Sequence, residues 1–229
     1  MRVSAIVPVL DEERRITRSV CALRELPGLH EIIVVDGGSR DHTRELVGEM
    51  DGVKLLQTRR GRGPQLNAGA QVASGETLLF VHADVTLPKD ALTWIRSTLS
   101  APDVVAGAFR TWTVADVEAP PYWAPLLRVA DLRSRYTSLP YGDQAMFVRA
   151  DVFASLGGFA DIALMEDLDL SMRLKRAGAV VTVPAQVKVS GRRFLARPVS
   201  SMFVMNLFPL LYQLGVSPNT LGTLYGRVR

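Results

Sequence analysis

Apolar runs and helically spaced segments alternate through the first hundred residues of this chain, and that alternation constrains its fold more than any other feature. Val3–Val9 is an almost unbroken apolar run containing Pro8, which reads as a buried parallel strand. Residues 12–25 carry Ile16, Val20 and Leu23 at helical spacing. Residues 31–35 form a second buried strand, and Asp41 is placed to cap a helix running through Leu46 and Val47. Val53–Gln57 is a third strand, followed by an Arg- and Gly-rich loop at 59–63 and a helix from Pro64. Residues 77–81 form a fourth, with Pro88 in the first turn of a helix reaching Leu99. Such a βαβα order builds a doubly wound α/β sheet that binds ligands at the carboxyl ends of its strands. Beyond about residue 104 the pattern is mixed: strand-like 104–114, a Pro- and Trp-rich stretch, strand-like 145–148, and an acidic segment that opens a basic helix.

Composition narrows the classes further. With 229 residues, 48% hydrophobic and 22% charged, the chain can bury a sizeable core, and disorder is not expected. Cys21 is the only cysteine, which excludes an intramolecular disulfide and a thiolate metal cluster and fits a reducing cytoplasm. Residues 1–10 contain Pro8 and run into Asp11, Glu12 and Glu13, so no secretory signal is expected. A net charge of +4 and a pI of about 9.5 favour anionic partners. The basic residues form no aromatic-interleaved stripe, so a nucleic-acid partner is not expected.

The chemistry-bearing motifs lie where this topology places ligands. Asp36-Gly37-Gly38-Ser39 follows the second strand, where a carboxylate can accept from a base or ribose; a locally capped turn would carry the same residues. Arg59-Arg60-Gly61-Arg62-Gly63 follows the third strand and can cradle a diphosphate, or be an exposed basic loop. No Walker loop and no Gly-x-Gly-x-x-Gly turn is present, which counts against a dinucleotide-binding dehydrogenase. His82-Ala83-Asp84 ends the fourth strand, and alternation along a strand would put His82 and Asp84 on one side. Oxygen donors from a carboxylate and a diphosphate suit Mg²⁺ or Mn²⁺. Glu166-Asp167-Leu168-Asp169 offers carboxylates for proton transfer, or helix-start acids favoured by the macrodipole.

Taken in order, these segments resemble the family-2 glycosyltransferases with the nucleotide-sugar-binding GT-A fold, over nearly the whole chain. Residues 3–13 resemble the opening strand and Pro-x-x-Asp/Asn-Glu segment, and residues 34–43 the Asp-x-Gly-Ser-x-Asp-x-Thr turn. Residues 61–69 resemble the Gly-x-x-x-x-x-Asn-x-Gly segment, and His82 to Asp84 the Asp-x-Asp metal motif. Gly157-Gly158-Phe159 followed by Glu166-Asp167 resembles the acceptor-site pair. His-Ala-Asp and Tyr-Gly-Asp-Gln are similar to a bacterial subgroup labelled arsenosugar-biosynthesis-type glycosyltransferases. The resemblance implies a Rossmann-like, mostly parallel sheet flanked by helices in a single catalytic domain, 1–229. Its parts would be a nucleotide-binding half at 1–103, an acceptor-binding half at 104–190 and a C-terminal helical extension at 191–229.

By the same resemblance, Pro8, Leu10, Glu12, Asp36, Arg62 and Ala83 would bind the nucleotide. Asp84, with His82, would hold Mg²⁺ or Mn²⁺ on the donor diphosphate. Asp167 would be the general base, with Asp143 and Glu166 shaping the acceptor site, and inversion would follow from direct displacement. Three departures stand out: His82 replaces the first acid of the metal motif, Gly37 stands where many members carry a base-reading acid, and no histidine follows His82. A sugar nucleotidylyltransferase and a non-catalytic nucleotide- or nucleic-acid-binding protein remain as alternatives.

Residues 198–226 carry no charge and are flanked by Arg192, Arg193, Arg197, Arg227 and Arg229. Ser200, Ser201, Asn206, Pro209 and Gln213 interrupt the apolar run, and Gly215 and Pro218 end it, which argues against a membrane span. A helix packed on the domain is expected, with an interfacial helix as the alternative. That alternative would make the protein peripheral to the inner face of the membrane and suit a lipid-linked acceptor.

Overall fold

The alternation of the sequence becomes β1 (Val3–Val9), α1 (Ile16–Arg24), β2 (Glu31–Asp36), α2 (Thr43–Gly48), β3 (Val53–Gln57), α3 (Arg62–Val72), β4 (Thr77–Phe80), β5 (Val85–Thr86) and α4 (Ala91–Thr98). The second half continues with β6 (Val104–Val114), β7 (Phe147–Arg149), α5 (Ala150–Ser155), α6 (Glu166–Ala177), β8 (Ala179–Ser190), α7 (Pro198–Gln213) and α8 (Pro218–Val228). The structure, a computed structural model, describes residues 1–115, 127–128, 131–132, 134, 139–192 and 198–228. Most of the Pro- and Trp-rich stretch, with Arg193, Arg197 and Arg229, lies outside the described residues.

All eight strands join one sheet in the order β3-β2-β1-β4-β7-β6-β8-β5. Strands β3, β2, β1 and β4 are mutually parallel, so their carboxyl ends open on one edge, as the βαβα reading requires. The sheet then turns mixed: β7 is antiparallel to both β4 and β6, β6 and β8 are parallel, and β5 is antiparallel to β8.

Period-two alternation distributes β1 between two cores. Val3, Ala5, Val7 and Val9 face α1 and α4 through Ile16, Val20, Leu23, Leu92 and Ile95. Ile6 faces the other side with Ile33, Val35, Leu66, Leu170 and Leu174. There Phe80, Phe153 and Phe159 pack as a triangle with ring centroids 5.0–5.5 Å apart.

Several boundaries differ from the sequence expectation. Residues 12–15 form a turn, with Arg15 and Ile16 N–H groups donating to Glu12 O, so α1 starts four residues late. Helix α3 begins at Arg62 and not at Pro64, because Gly61 adopts φ 139° and its carbonyl accepts the Gln65 N–H. Pro88 lies in a turn ahead of α4, its carbonyl accepting from Ala91. Ala145, expected in a strand, has φ 46° and precedes β7.

Pro209 does not interrupt α7, which runs through it to Gln213. Gly215 at φ 91° ends that helix, with Val216 donating to Leu211 O and Gly215 to Tyr212 O. Strand β8, unrecognised in the sequence because Pro184 sits in its middle, pairs along β6 with an irregular register.

Candidate functional site

At the carboxyl ends of β1 and β2 the chain makes two facing turns. Asp36 is fully buried, and its carboxylate accepts the Gly38 N–H at 2.9 Å, the Ser39 N–H at 3.1 Å and the Ser39 hydroxyl. Those bonds are local, so Asp36 shapes its own turn. The Ser39 hydroxyl also accepts the Asp11 N–H at 2.9 Å, and the Arg40 N–H donates to Asp11 Oδ1 at 2.8 Å. Gln65 Nε2 donates to Val9 O and Val35 O, both at 2.8 Å, and ties the two strand ends together. A Cβ on Gly37 would stand 2.9 Å from Gln65 Cδ, so Gln65 fills the room that a side chain at 37 would need. A cavity of about 330 Å³ opens here, lined by Leu10, Asp11, Gly37, Gly38, Arg40 and Arg60. Pro8, near the end of β1, is half-buried, and Ala83 is buried.

Glu12 borders the same edge, but its carboxylate pairs with Arg192 Nη2 at 3.0 Å and with Arg15 Nη1 at 3.5 Å. Arg192 follows the end of β8, and no local pattern marks that long-range pair beyond the charge itself.

Two of the quoted motifs form one joint. Asn67 on α3 donates to Phe159 O at 2.8 Å and accepts the Phe159 N–H at 2.9 Å. Gly63 and Gly69 let α3 approach: added Cβ atoms would lie 2.7 Å from Ala160 O and 2.4 Å from Ile6 Cγ2. Beyond the joint, Met165 takes φ 72° and Glu166 opens α6.

Arg62, in the first turn of α3, donates to buried Glu166 at 3.0 Å. Burial is the largest influence on Glu166 and raises its pKa; Arg62 opposes that rise and Asp167 adds to it. Burial lowers the Arg62 pKa, and the Glu166 and Asp167 carboxylates raise it by more. The pair ties the first turn of α3 to the first turn of α6.

Residues 82–84 lie beyond the end of β4 in a turn closed by the Val85 N–H donating to His82 O, so strand alternation does not align His82 with Asp84. Asp84 is held instead by β8, whose Ser190 N–H donates to Asp84 O at 3.1 Å. Asp143 lies in a 3-10 turn, Gly142–Gln144. The Gly142 N–H donates to Asp167 Oδ2 at 2.8 Å, and a Cβ on Gly142 would sit 3.0 Å from His82 Cε1 and 3.3 Å from Asp167 Oδ2. His82, Asp143, Asp167, Glu166 and Arg62 are thus linked in one region. Among the described residues no three His, Cys, Asp or Glu side chains are grouped to hold a metal.

The sequence matches the model of glycosyl transferase family 2 over residues 4–157, the stretch that holds the strand-end turns, the α3 motif and the His-Ala-Asp turn. This chain belongs to that family. It is 26% identical over 207 residues to the probable glycosyltransferase YdaM of Bacillus subtilis, covering 77% of this chain and 47% of that protein. It is 27% identical over 199 residues to the beta-monoglucosyldiacylglycerol synthase of Trichormus variabilis, covering 75% and 41%. The chain thus spans less than half the length of these curated relatives. Among solved structures, the mannosyltransferase PcManGT from Pyrobaculum calidifontis, in complex with GDP-Man and Mn²⁺, superposes with a TM-score of 0.71. That likeness is at 21% identity and covers 99% of this chain and 69% of the other. The architecture is therefore that of the GT-A glycosyltransferases.

Proposed function

We propose that this chain transfers a sugar from a nucleoside-diphosphate donor to an acceptor hydroxyl, with inversion and with Mg²⁺ or Mn²⁺. One observation carries the reading. Gly142 lies against both His82 and Asp167, so the fold brings the metal-motif segment and the acidic pair into contact from distant parts of the sequence.

The residues fit a cation shared with the donor. Asp84 and His82 are a sparse set, and Mg²⁺ is commonly held by one or two carboxylates plus substrate phosphates. A cation bound there neutralises charge that develops on the departing diphosphate. Asp167 takes the acceptor proton as its hydroxyl attacks. Its carboxylate is oriented for that role by N–H donors from Gly142 and Leu168. Glu166 and Asp143 border the acceptor, and Arg62 pairs with Glu166. The base and ribose lie at the carboxyl ends of β1 and β2, against Leu10 and Gly37. Family membership and the GDP-Man and Mn²⁺ held by PcManGT support this donor class.

A lipid-linked acceptor is the second reading. Leu210 on α7, Leu214 in the turn after it and Leu224 on α8 are exposed, at 52%, 73% and 38%. No helix among the described residues is long and apolar enough to cross a membrane, so contact would be peripheral. The glycolipid in the name of the Trichormus relative points the same way.

The test is product analysis with UDP-, GDP- and ADP-sugars, Mn²⁺ and simple or lipid-linked acceptors. Release of a nucleoside diphosphate with an inverted anomeric product supports the proposal. Release of pyrophosphate in a parallel assay with nucleoside triphosphates and a sugar 1-phosphate would replace it with nucleotidyl transfer.

A further inference from the structure

We infer that Asp11 reads the base of the donor nucleotide, and that it selects a base carrying a ring N–H beside a carbonyl, as in uracil or guanine. The inference rests on the donor-site reading above and adds the specificity that Gly37 leaves unassigned.

Three observations converge on Asp11. It lines the 330 Å³ cavity at the carboxyl ends of β1 and β2, together with Leu10, Gly37, Gly38, Arg40 and Arg60. It is the one acidic residue in that lining. Its backbone is held at φ 55°, a conformation that Asp tolerates at some cost, and that persists only where neighbours enforce it. Those neighbours are on the opposite turn: the Ser39 hydroxyl receives the Asp11 N–H, and the Arg40 N–H fixes Asp11 Oδ1. Among the described residues no group bonds the second carboxylate oxygen.

The missing side chain at 37 explains why this position takes the role. Gln65 Cδ would lie 2.9 Å from a Cβ there, and both Gln65 amide hydrogens are spent on Val9 O and Val35 O. Gln65 therefore holds the strand ends and blocks an acid at 37. The carboxylate comes from the facing turn. An ionised carboxylate only accepts hydrogen bonds, so it is satisfied by the N3–H of uracil or the N1–H of guanine. At the same ring position cytosine and adenine present a bare nitrogen acceptor, which leaves the carboxylate unpaired. Asp11 is exposed, so the discrimination arises where the bound base covers it and a mismatch leaves its carboxylate unpaired.

Asp11→Asn is the informative variant. Asn also tolerates positive φ and can still accept from Arg40 through its carbonyl, but it places an N–H₂ donor where the free oxygen stood. Titration calorimetry of UDP, GDP, CDP and ADP with Mn²⁺ reads the outcome in both proteins. Wild type should bind UDP or GDP at least tenfold more tightly than CDP and ADP, and Asp11→Asn should reduce that preference at least tenfold. Circular dichroism melting confirms that the variant is folded. A wild-type preference for CDP or ADP, or an unchanged ranking in folded Asp11→Asn, overturns the role of Asp11 while leaving the donor site standing. Failure of the wild type to bind any of the four would overturn the donor-site reading and this inference with it.

Discussion

Arg62 Nη1 lies 3.0 Å from Glu166 Oε1 and so joins the first turn of α3 to the first turn of α6. Sequence reasoning put this arginine on a loop facing the donor. The structure puts it in a helix and pairs it with a carboxylate that is only 3% exposed. Removing one partner of such a pair strands the other charge, at about 3–5 kcal/mol when both are fully buried.

Arg62 is 39% exposed, so Arg62→Ala should cost less, about 1–3 kcal/mol in urea unfolding. Adding Glu166→Gln should restore much of that stability, because a neutral amide tolerates burial without the guanidinium. Independent, additive losses in the two variants would show that the pair contributes nothing.

The metal prediction follows from the sparse donor set. With no three-residue cluster among the described residues, the protein alone should bind Mn²⁺ weakly, and a nucleoside diphosphate should strengthen binding by supplying phosphate oxygens. Asp84→Ala should remove the Mn²⁺ dependence of nucleotide affinity while Ser190 still meets the Asp84 backbone carbonyl, which the substitution spares. Calorimetry decides it. Tight Mn²⁺ binding by the nucleotide-free protein would point to a different ligand set.

A pH effect arises far from the site, at the other end of β2. Burial of Glu31 would raise its pKa, but Lys54, Ser4 and Ser74 outweigh that and hold it at about 2, down from 4.5. A carboxylate depressed on folding stabilises fully above its unfolded pKa, and the gain is lost as pH falls from about 4.5 towards 2. The contribution is at most about 3 kcal/mol. Urea midpoints should therefore fall more steeply between pH 5 and pH 2.5 in wild type than in Glu31→Gln. Parallel curves would assign the acid sensitivity to other carboxylates.

The strand-end turns, the α3 glycines and the acidic helix were legible because each depends on local periodicity or on a short motif. Gly69 shows the limit: the motif marks it, but only the structure shows that Ile6 leaves no room for a Cβ. Asp36 reads equally as a ligand or a cap in sequence, and in the structure its carboxylate accepts from Gly38 and Ser39 of its own turn. The Glu12–Arg192 pair and the Ser190–Asp84 bond were invisible, since they join the first and fourth strand ends to the end of β8. Strand β8 was hidden by Pro184, which an alternation rule rejects and an irregular register accommodates. Asp11 escaped notice because its backbone conformation, not its neighbours in sequence, turns it towards the cavity.

The sharpest prediction separates two carboxylates two positions apart on α6. Asp169 is committed to structure: Arg173 reaches it at 2.6 Å and the Tyr212 hydroxyl donates to it at 3.2 Å, tying α7 to α6. Among the described residues Asp167 instead accepts only backbone N–H groups, from Gly142 at 2.8 Å and Leu168 at 2.7 Å, which orient its carboxylate. A general base acts in the transition state and adds little to donor affinity, so its loss should lower kcat with Kd for the donor nearly constant. Asp167→Asn keeps the shape and an acceptor for Gly142, and should slow transfer at least about a hundredfold. Asp169→Asn should retain most turnover and lower thermal stability, because the Arg173 and Tyr212 contacts weaken. Steady-state kinetics, calorimetry and melting curves on both variants read the split. A dead Asp169→Asn beside a fully active Asp167→Asn would move the base by two positions. Full turnover in both would remove the base from this helix and, with it, the argument for inversion.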